Sequence, residues 1–480
     1  MGKSIKKNYF YNLSYQIFSI IAPLITAPYI ARIFGPEKVG IYAFINTVVN
    51  YFILFGSFSI NLFASRELAY YKNDIKKRSQ IFWNLVLLNF INISASLSLF
   101  YLYLFIKKPE YISYYFIQSL LFFSYMFDIT WLFSSQEEFG KIALRNFVVR
   151  IISIILLFTL IKEQSDLWKY FLINSLTPVI ANISLWGFIK KYIIFVKPHI
   201  KKAYSYFPRV IKVFLPTIAI SIYSMLDKLM LGIFSTKTQV GYYDYSQKLV
   251  RIPLAIITSI TPIIMVRMAA EFKNNDINSV KIYFYKSFKF ATFLSFYLFS
   301  MMYSVVPEFI PWFFGNNFFA TIKLIQIISP IIIAIALGTT AGHQFLLSIG
   351  EENKLTLALF IGAGINFTLN LFLIPKYQAI GVSLASVIAE CSITIILYLF
   401  VSKYLNVLNL IKNNWYYLVF SIFTIIVVRF IGNKMGVSII TNIIQVFVGS
   451  LIYIVFVILV DKEIRNYFIQ FYNTRFKNKL

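Results

Sequence analysis

The sequence predicts an all-α, polytopic membrane protein with about fourteen transmembrane helices. Hydrophobic residues make up 59% of the 480 and charged residues only 13%, at a mean hydropathy of +0.72. A water-exposed surface cannot be built from so few polar side chains. Apolar runs of roughly twenty residues, the length that crosses a bilayer as a helix, recur along the whole chain. The placement of the basic residues between those runs then orients them.

In chain order the expected spans are 9–33, 40–63, 80–106, 112–134, 142–161, 168–189, 210–234, 246–268, 287–306, 320–347, 355–374, 380–402, 415–432 and 439–460. The runs are continuous, which excludes the short alternating strands of a transmembrane barrel. The first run follows basic residues, as a signal peptide does. It is nevertheless about 25 residues long, holds Pro23 and Pro28 and lacks a small-residue cleavage site, so it reads as a retained first helix.

The formal net charge is +26, and its distribution explains it. With the N-terminus in the cytoplasm, every second loop is expected to be basic. Lys3, Lys6 and Lys7, then Arg66, Lys72, Lys76, Lys77 and Arg78, then Lys190, Lys191, Lys197, Lys201, Lys202, Arg209 and Lys212 obey that rule. The stretch 267–289 and the tail 462–479 continue it. About 30 of the Lys and Arg residues fall inside and about 13 outside, while Arg150 and Lys228 lie within helices. Both termini are therefore expected in the cytoplasm, and the positive loops read as orientation signals and contacts to membrane lipids rather than as a nucleic-acid surface.

Catalytic chemistry finds no foothold. Cys391 is alone, so neither a disulfide nor a cysteine metal cluster can form. His199 and His343 are isolated and match no zinc motif. No glycine-rich phosphate loop appears, and the longest loop, roughly 190–209, is too short to carry acids and close over a substrate. The expectation is a non-enzyme with no cofactor and no metal.

The chain repeats itself. Ile33-Phe34-Gly35-Pro36-Glu37-Lys38-Val39-Gly40-Ile41-Tyr42 returns as Ile233-Phe234-Ser235-Thr236-Lys237-Thr238-Gln239-Val240-Gly241-Tyr242-Tyr243, with one residue inserted. Beyond it Asn46, Asn50 and Ser57 recur as Gln247, Arg251 and Thr258 at one constant offset, all on one helix face. The repeat spans six helices, an even number, so both copies enter the membrane in the same sense about an axis along its normal. The last two helices fall outside the repeat.

Polar stripes mark the leading helices of both copies. Asn12, Gln16, Ser19, Pro23 and Thr26 step by four and three, as do Thr217, Ser221, Ser224 and Lys228. Helix two adds Asn46, Asn50, Ser57 and Asn61; helix eleven Asn366 and Asn370; helix twelve Ser383, Ser386, Glu390 and Thr394. Polar groups facing lipid cost several kcal/mol each, so the stripes must face protein or water. Interhelical hydrogen bonding accounts for single Ser and Thr residues; the stripes together point to a wet central cavity.

Charges at depth are weighed separately. Arg150 and Lys228 are the basic residues furthest from helix ends; Asp227 adjoins Lys228 as a local counter-charge, and Arg150 is within snorkelling reach of the cytoplasmic interface. Arg32, Arg66, Arg251 and Arg429 lie near helix ends, where snorkelling is the default. Glu390 is the leading acid for ion coupling, with Asp227 and Asp128 behind it. The prolines Pro23, Pro28, Pro178, Pro216, Pro253, Pro262, Pro330 and Pro375 imply kinks.

The stretches "PLITAPYIARIFGPEKVGIYAF" and "FGSFSINLFASRELA", then "MLDKLMLGIFSTKTQVGYYDYSQKLVRIP" and "LFLIPKYQAIGVSLASVIAE", resemble the signatures of Wzx-type polysaccharide flippases, across roughly residues 5–460. The resemblance implies the multidrug/oligosaccharidyl-lipid/polysaccharide exporter fold: an N-lobe of helices 1–6 (1–202) and a C-lobe of helices 7–12 (203–405) in a V around a central cavity, plus two C-terminal helices and a tail (406–480). It implies a lipid-linked oligosaccharide substrate, an O-antigen or capsule repeat unit on undecaprenyl diphosphate, flipped by alternating access, with a polysaccharide polymerase and other assembly proteins as partners. Lys228, Arg150 and Arg251 would then meet the diphosphate, and Asn12, Gln16, Asn46, Asn50, Ser221 and Ser224 the sugars. Arg32 and Arg66 match the arginines of the "PYxxR" and "SRE" segments and suit gating or headgroup contact. The alternatives are a drug or cation antiporter of the same fold, which wants one dominant buried acid, and a membrane polymerase or acyltransferase, which wants a long outer loop or an acid/His cluster.

Overall fold

A computed structural model describes residues 5–463 and Arg465, with side chains described outside 5–17, 19–20, 215–217 and 219–224. Among the described residues there are helices, turns and no strand. Inside a bilayer this is forced, because backbone N–H and C=O groups without water must pair within their own segment. Eleven elements are long and apolar enough to cross a membrane, so the protein is a multi-pass membrane protein. Their outer faces agree: Phe105, Phe430 and Phe447 are 76%, 62% and 68% exposed, which only a lipid solvent tolerates on this scale.

The chain divides into two compact units, Met1–Gly241 and Tyr242–Leu480. The first holds α1 (Ile5–Ser57), α2 (Ile60–Tyr70), α3 (Ile75–Lys107), α4 (Ile112–Gln118), α5 (Leu120–Met126), α6 (Thr130–Ser135), α7 (Phe139–Leu160), α8 (Leu167–Trp186), α9 (Ile200–Ser205) and α10 (Phe207–Phe234). The boundary falls early in α11 (Lys237–Thr258). The second unit continues with α12 (Thr261–Lys273), α13 (Ile277–Phe313), α14 (Ala320–Ile328), α15 (Ile331–Thr339), α16 (Glu352–Val401), α17 (Val407–Lys412), α18 (Tyr416–Met435) and α19 (Ile439–Val460).

Two of the longest elements are pairs of helices joined at one residue. Gly35, at φ 67° and ψ 177°, breaks α1, a conformation that a side chain would resist. Gln378 breaks α16 at φ 50°, three residues after Pro375. Elsewhere the helices differ from the apolar runs mainly in length. α3 begins at Ile75 and α13 at Ile277, well before the runs at 80 and 287. A helix continues past the membrane wherever a cap can start it, and Asp74 and Asp276 do so by accepting the N–H of Lys77 and Ser279. The fourth run is subdivided into α4, α5 and α6, the eighth parts at Ser259 and Ile260, and the tenth parts at Pro330 before ending in a π-helical turn over Thr340–Leu346.

Unit 1 centres on Phe63, Phe82, Trp131 and Phe133. The segment between α8 and α9 is strapped onto this core. Arg78, 6% exposed, donates through Nε to the Tyr192 carbonyl at 3.1 Å and through Nη1 to Gln136 Oε1 at 3.0 Å. Ile194 N donates to Ser79 Oγ, and Trp83 Nε1 to the Ile194 carbonyl. The longest loop is therefore a fixed strap, not a free connection.

Unit 2 contains a three-helix assembly of α13, α18 and α19 tied at both ends. At one end Glu308 lies between Arg429, whose Nη1 is 2.7 and 2.8 Å from its two oxygens, and Gln445, which donates from Nε2 at 2.9 Å. At the other end Asp461 accepts from Lys289 Nζ at 2.7 Å and from the hydroxyls of Tyr416 and Tyr417 at 2.7 and 2.6 Å. Arg429 thus does not snorkel to an interface. A carboxylate buried on the neighbouring helix meets it first, which outweighs exposure in the interior of a membrane protein.

Candidate functional site

The polar stripes of the two repeats each enter a hydrogen-bonded chain within their own unit. In the second half of α1, Asn46 Oδ1 accepts from Gln118 Nε2 at 2.8 Å, and Gln118 Oε1 accepts from Ser175 Oγ at 2.9 Å. The chain joins α1, α4 and α8 through a fully buried glutamine. Asn50, one turn on, donates from Nδ2 to the Asn46 carbonyl at 2.7 Å. In unit 2 the equivalent Gln247 donates to the Tyr243 hydroxyl at 2.7 Å, which lies 3.1 Å from Ser386 Oγ on α16. Equivalent positions of the repeat therefore bind their helices to neighbours, the use that Asn and Gln find in membrane interiors.

The charged candidates are placed as follows. Asp227 is buried and Lys228 half-buried in α10, and both have interaction partners. Asp227 lies close enough to Tyr51 on α1 to act on it electrostatically. Arg150 is half-buried on α7 and makes no hydrogen bond or ion pair among the described residues. On α1 the contacts of α7 fall before the Gly35 break, Phe147 on Phe18 and Phe158 on Tyr29, and those of α10 after it, Phe214 on Phe55 and Gly232 beside Phe44, so Arg150 and the Asp227–Lys228 pair sit on helices that pack against different halves of α1. Arg251 is exposed on α11; Arg32 is exposed one turn before the Gly35 break, and Arg66 is exposed on α2.

Asp128 has its acceptors occupied, by Asn61 Nδ2 at 2.8 Å and by the N–H of Thr130, the first residue of α6, at 2.8 Å. Glu390 is half-buried on α16 and has a partner. On the first half of α16, Asn370 donates to Asn366 Oδ1 at 3.1 Å, and both are wholly buried. Asn12, Gln16, Ser221 and Ser224, with Ser19 and Thr217, lie outside the described residues. Among the described residues no group of three or more His, Cys, Asp or Glu could hold a metal ion.

Three groups were not anticipated from the sequence: Arg145, whose Nη1 donates to Asn182 Oδ1 at 2.9 Å, the Glu308–Arg429–Gln445 cluster and the Asp461 cluster. Their signal in the sequence was only a charged residue within one turn of the end of an apolar run, because the partners lie 37 to 172 residues away in the chain.

Residues 5–266, more than half of the chain, match the family described as "Polysaccharide biosynthesis protein". A protein of Escherichia coli (strain K12) named "Putative O-antigen transporter" is 25% identical over 408 residues, 83% of this chain and 97% of that protein. Among solved structures, the lipid II flippase MurJ in an inward closed conformation is similar over 95% of this chain and 99% of its own, with a TM-score of 0.77 at 17% identity. An inward-facing multidrug resistance MATE family transporter of the MOP superfamily gives a TM-score of 0.60 over 86% of this chain and 97% of that one, at 13% identity. These two likenesses are of fold. The family match supplies the rest, and the chain belongs to the polysaccharide biosynthesis protein family.

Proposed function

We propose that this protein is a flippase that carries oligosaccharide repeat units, linked to undecaprenyl diphosphate, from the cytoplasmic to the outer leaflet of a bacterial plasma membrane by alternating access. The observation that carries the proposal is the family match over 5–266, joined to the relative named for O-antigen transport along most of the chain. Fourteen crossings fit it, if the two elements broken at Gly35 and Gln378 are each counted twice and α10 is added to the eleven. The lobes would be 1–202 and 203–405, with 406–480 appended and both termini in the cytoplasm.

The physical chemistry of the cargo supports the reading. A sugar diphosphate cannot enter hydrocarbon unaided, since desolvating its charge is prohibitive. In this proposal Lys228 and Arg150 neutralise the diphosphate, amides such as Asn50 meet sugar hydroxyls, and the prenyl tail stays in lipid. Arg32, Arg66 and Arg251, all exposed, would meet the headgroup as it enters or leaves. A polymerase on the outer side would consume the product. The test is to delete the gene and follow the repeat unit: it should accumulate on its lipid carrier, inaccessible to a glycosidase added outside, and become accessible when the wild-type gene is restored. Unchanged outer-leaflet exposure in the deletion would overturn the proposal.

A further inference from the structure

Between α3 and α4 of unit 1 lies a groove of about 800 Å³ that has no part in the site described above. Tyr101, Leu104, Phe105 and Lys108 stand at steps of three and four on one face of α3 and its cap, and Ile112 and Phe116 line the groove from α4. Leu104 is its buried floor, while Phe105 and Phe116 stand exposed as its walls. The two ends are unlike. At the deep end the Tyr101 and Phe116 rings are 5.9 Å apart, and the Tyr101 hydroxyl lies 3.0 Å from Ser119 Oγ. That contact closes the slot and occupies the hydroxyl of an otherwise apolar lining. About 10 Å further along α3, where the apolar run ends, Lys108 stands at the mouth.

The charge at the mouth is uncommitted. Lys107 and Lys108 are both exposed, and their side chains make no hydrogen bond or ion pair among the described residues. The neighbouring acid, Glu110, accepts from the Tyr111 hydroxyl instead. Lys108 holds its place at a cost, because it caps α3 in the left-handed region, at φ 42° and ψ 57°, where glycine is the ordinary residue. The pair also runs against the charge bias of membrane proteins if, as proposed, this end of α3 is the outer one, since lysine concentrates on the cytoplasmic side. Neither packing nor orientation accounts for two adjacent lysines here. An anion held at the mouth does.

We infer that the α3–α4 groove is a binding site for an anionic phospholipid, with its acyl chains in the slot and its phosphate against Lys107 and Lys108. The apolar lining takes hydrocarbon, and the closed deep end stops a chain that a plain lipid-facing helix would let slide. The paired ammonium groups favour a headgroup of net negative charge over a zwitterionic one. The size of the slot decides between lipids: about 800 Å³ over about 10 Å of length is several chains in section at carbon–carbon contacts of about 4 Å. That suits the two chains of a phospholipid better than the single chain of a polyprenyl phosphate. The lipid also steadies α4, which is only seven residues long and carries Gln118, the link between Asn46 and Ser175. The site requires only that the chain spans a membrane, whatever its cargo.

The test is native mass spectrometry of the full-length protein, equilibrated in detergent with equal amounts of phosphatidylglycerol and phosphatidylcholine of the same acyl chains. Wild type should retain phosphatidylglycerol over phosphatidylcholine by about tenfold or more, the worth of two lysines at a lipid surface. Lys107→Gln/Lys108→Gln should bring the ratio near one, and Lys107→Arg/Lys108→Arg should keep it. Ile112→Trp, which fills the slot, should lower the phosphatidylglycerol retained. A wild-type ratio near one, or a ratio that the glutamine pair leaves unchanged, would overturn the site. Displacement of phosphatidylglycerol by an equal amount of undecaprenyl phosphate would overturn the phospholipid as its occupant. A second measurement is made in nanodiscs: replacing a third of the phosphatidylcholine by phosphatidylglycerol should raise the melting temperature of wild type and not that of Lys107→Gln/Lys108→Gln. Equal rises in the two proteins would also overturn the site.

Discussion

Removing the Glu308 carboxylate should be among the most damaging single changes outside the proposed transport path. Glu308 is 5% exposed, and both of its oxygens face Arg429 while one also accepts from Gln445. Glu308→Ala leaves Arg429, whose side chain is 26% exposed, and the buried Gln445 without their shared acceptor, a loss of about 3 kcal/mol, the low end for such pairs because Arg429 keeps some contact with solvent. Glu308→Gln keeps an acceptor but not the charge, so about 1.5–3 kcal/mol is expected, the worth of hydrogen bonds to charged groups. Glu308→Leu with Arg429→Met removes both charges at similar volume and should return to within about 2 kcal/mol of wild type. Gln445 stays satisfied in that double variant through the Val428 carbonyl. Cys391, the sole cysteine, is half-buried on α16 in the same unit and serves as the reporter. Its reaction with a thiol dye on heating in nanodiscs should shift down by about 6–12 °C for Glu308→Ala, taking roughly 2–4 °C per kcal/mol for a domain of this size. A shift under about 2 °C, or a double variant as unstable as Glu308→Ala, would refute the buried-pair argument.

Lys228→Ala and Arg150→Ala should each abolish surface polysaccharide at unchanged protein level, whereas Lys228→Arg should keep part of it because charge matters more than geometry in a roomy site; normal export by both alanine variants would move the diphosphate contact to Arg32 and Arg66. Reporter fusions near residue 165 and near residue 200 should register outside and inside respectively, and the reverse would invert every depth assignment. Asp276 caps α13, and the Ser279 hydroxyl and N–H hold its carboxyl below the ordinary aspartate value of 3.8. A depressed carboxylate adds stability above its unfolded value and loses it as pH falls through the folded one. The melting temperature of Asp276→Ala should therefore lie below wild type at pH 7, with the gap closing below about pH 3.8; a gap independent of pH would show that the charge is not involved.

What the sequence determined by itself is whatever depends on neighbours along the chain. Span-length apolar runs must be helices in lipid, and the duplicated hairpin is a pattern of adjacent residues, so class and repeat were legible. Helix ends were less so, because caps such as Asp74 and Asp276 carry helices beyond the apolar runs they begin. Only the tertiary structure decided partners. Asn46 reads as a cavity amide until Gln118, 72 residues on, donates to it. Arg429 reads as a snorkelling side chain until Glu308, 121 residues earlier, meets it. The physical reason is common to both: a buried polar group must be satisfied by whatever stands within about 3 Å, and the helix that supplies it is chosen by packing, not by distance along the chain.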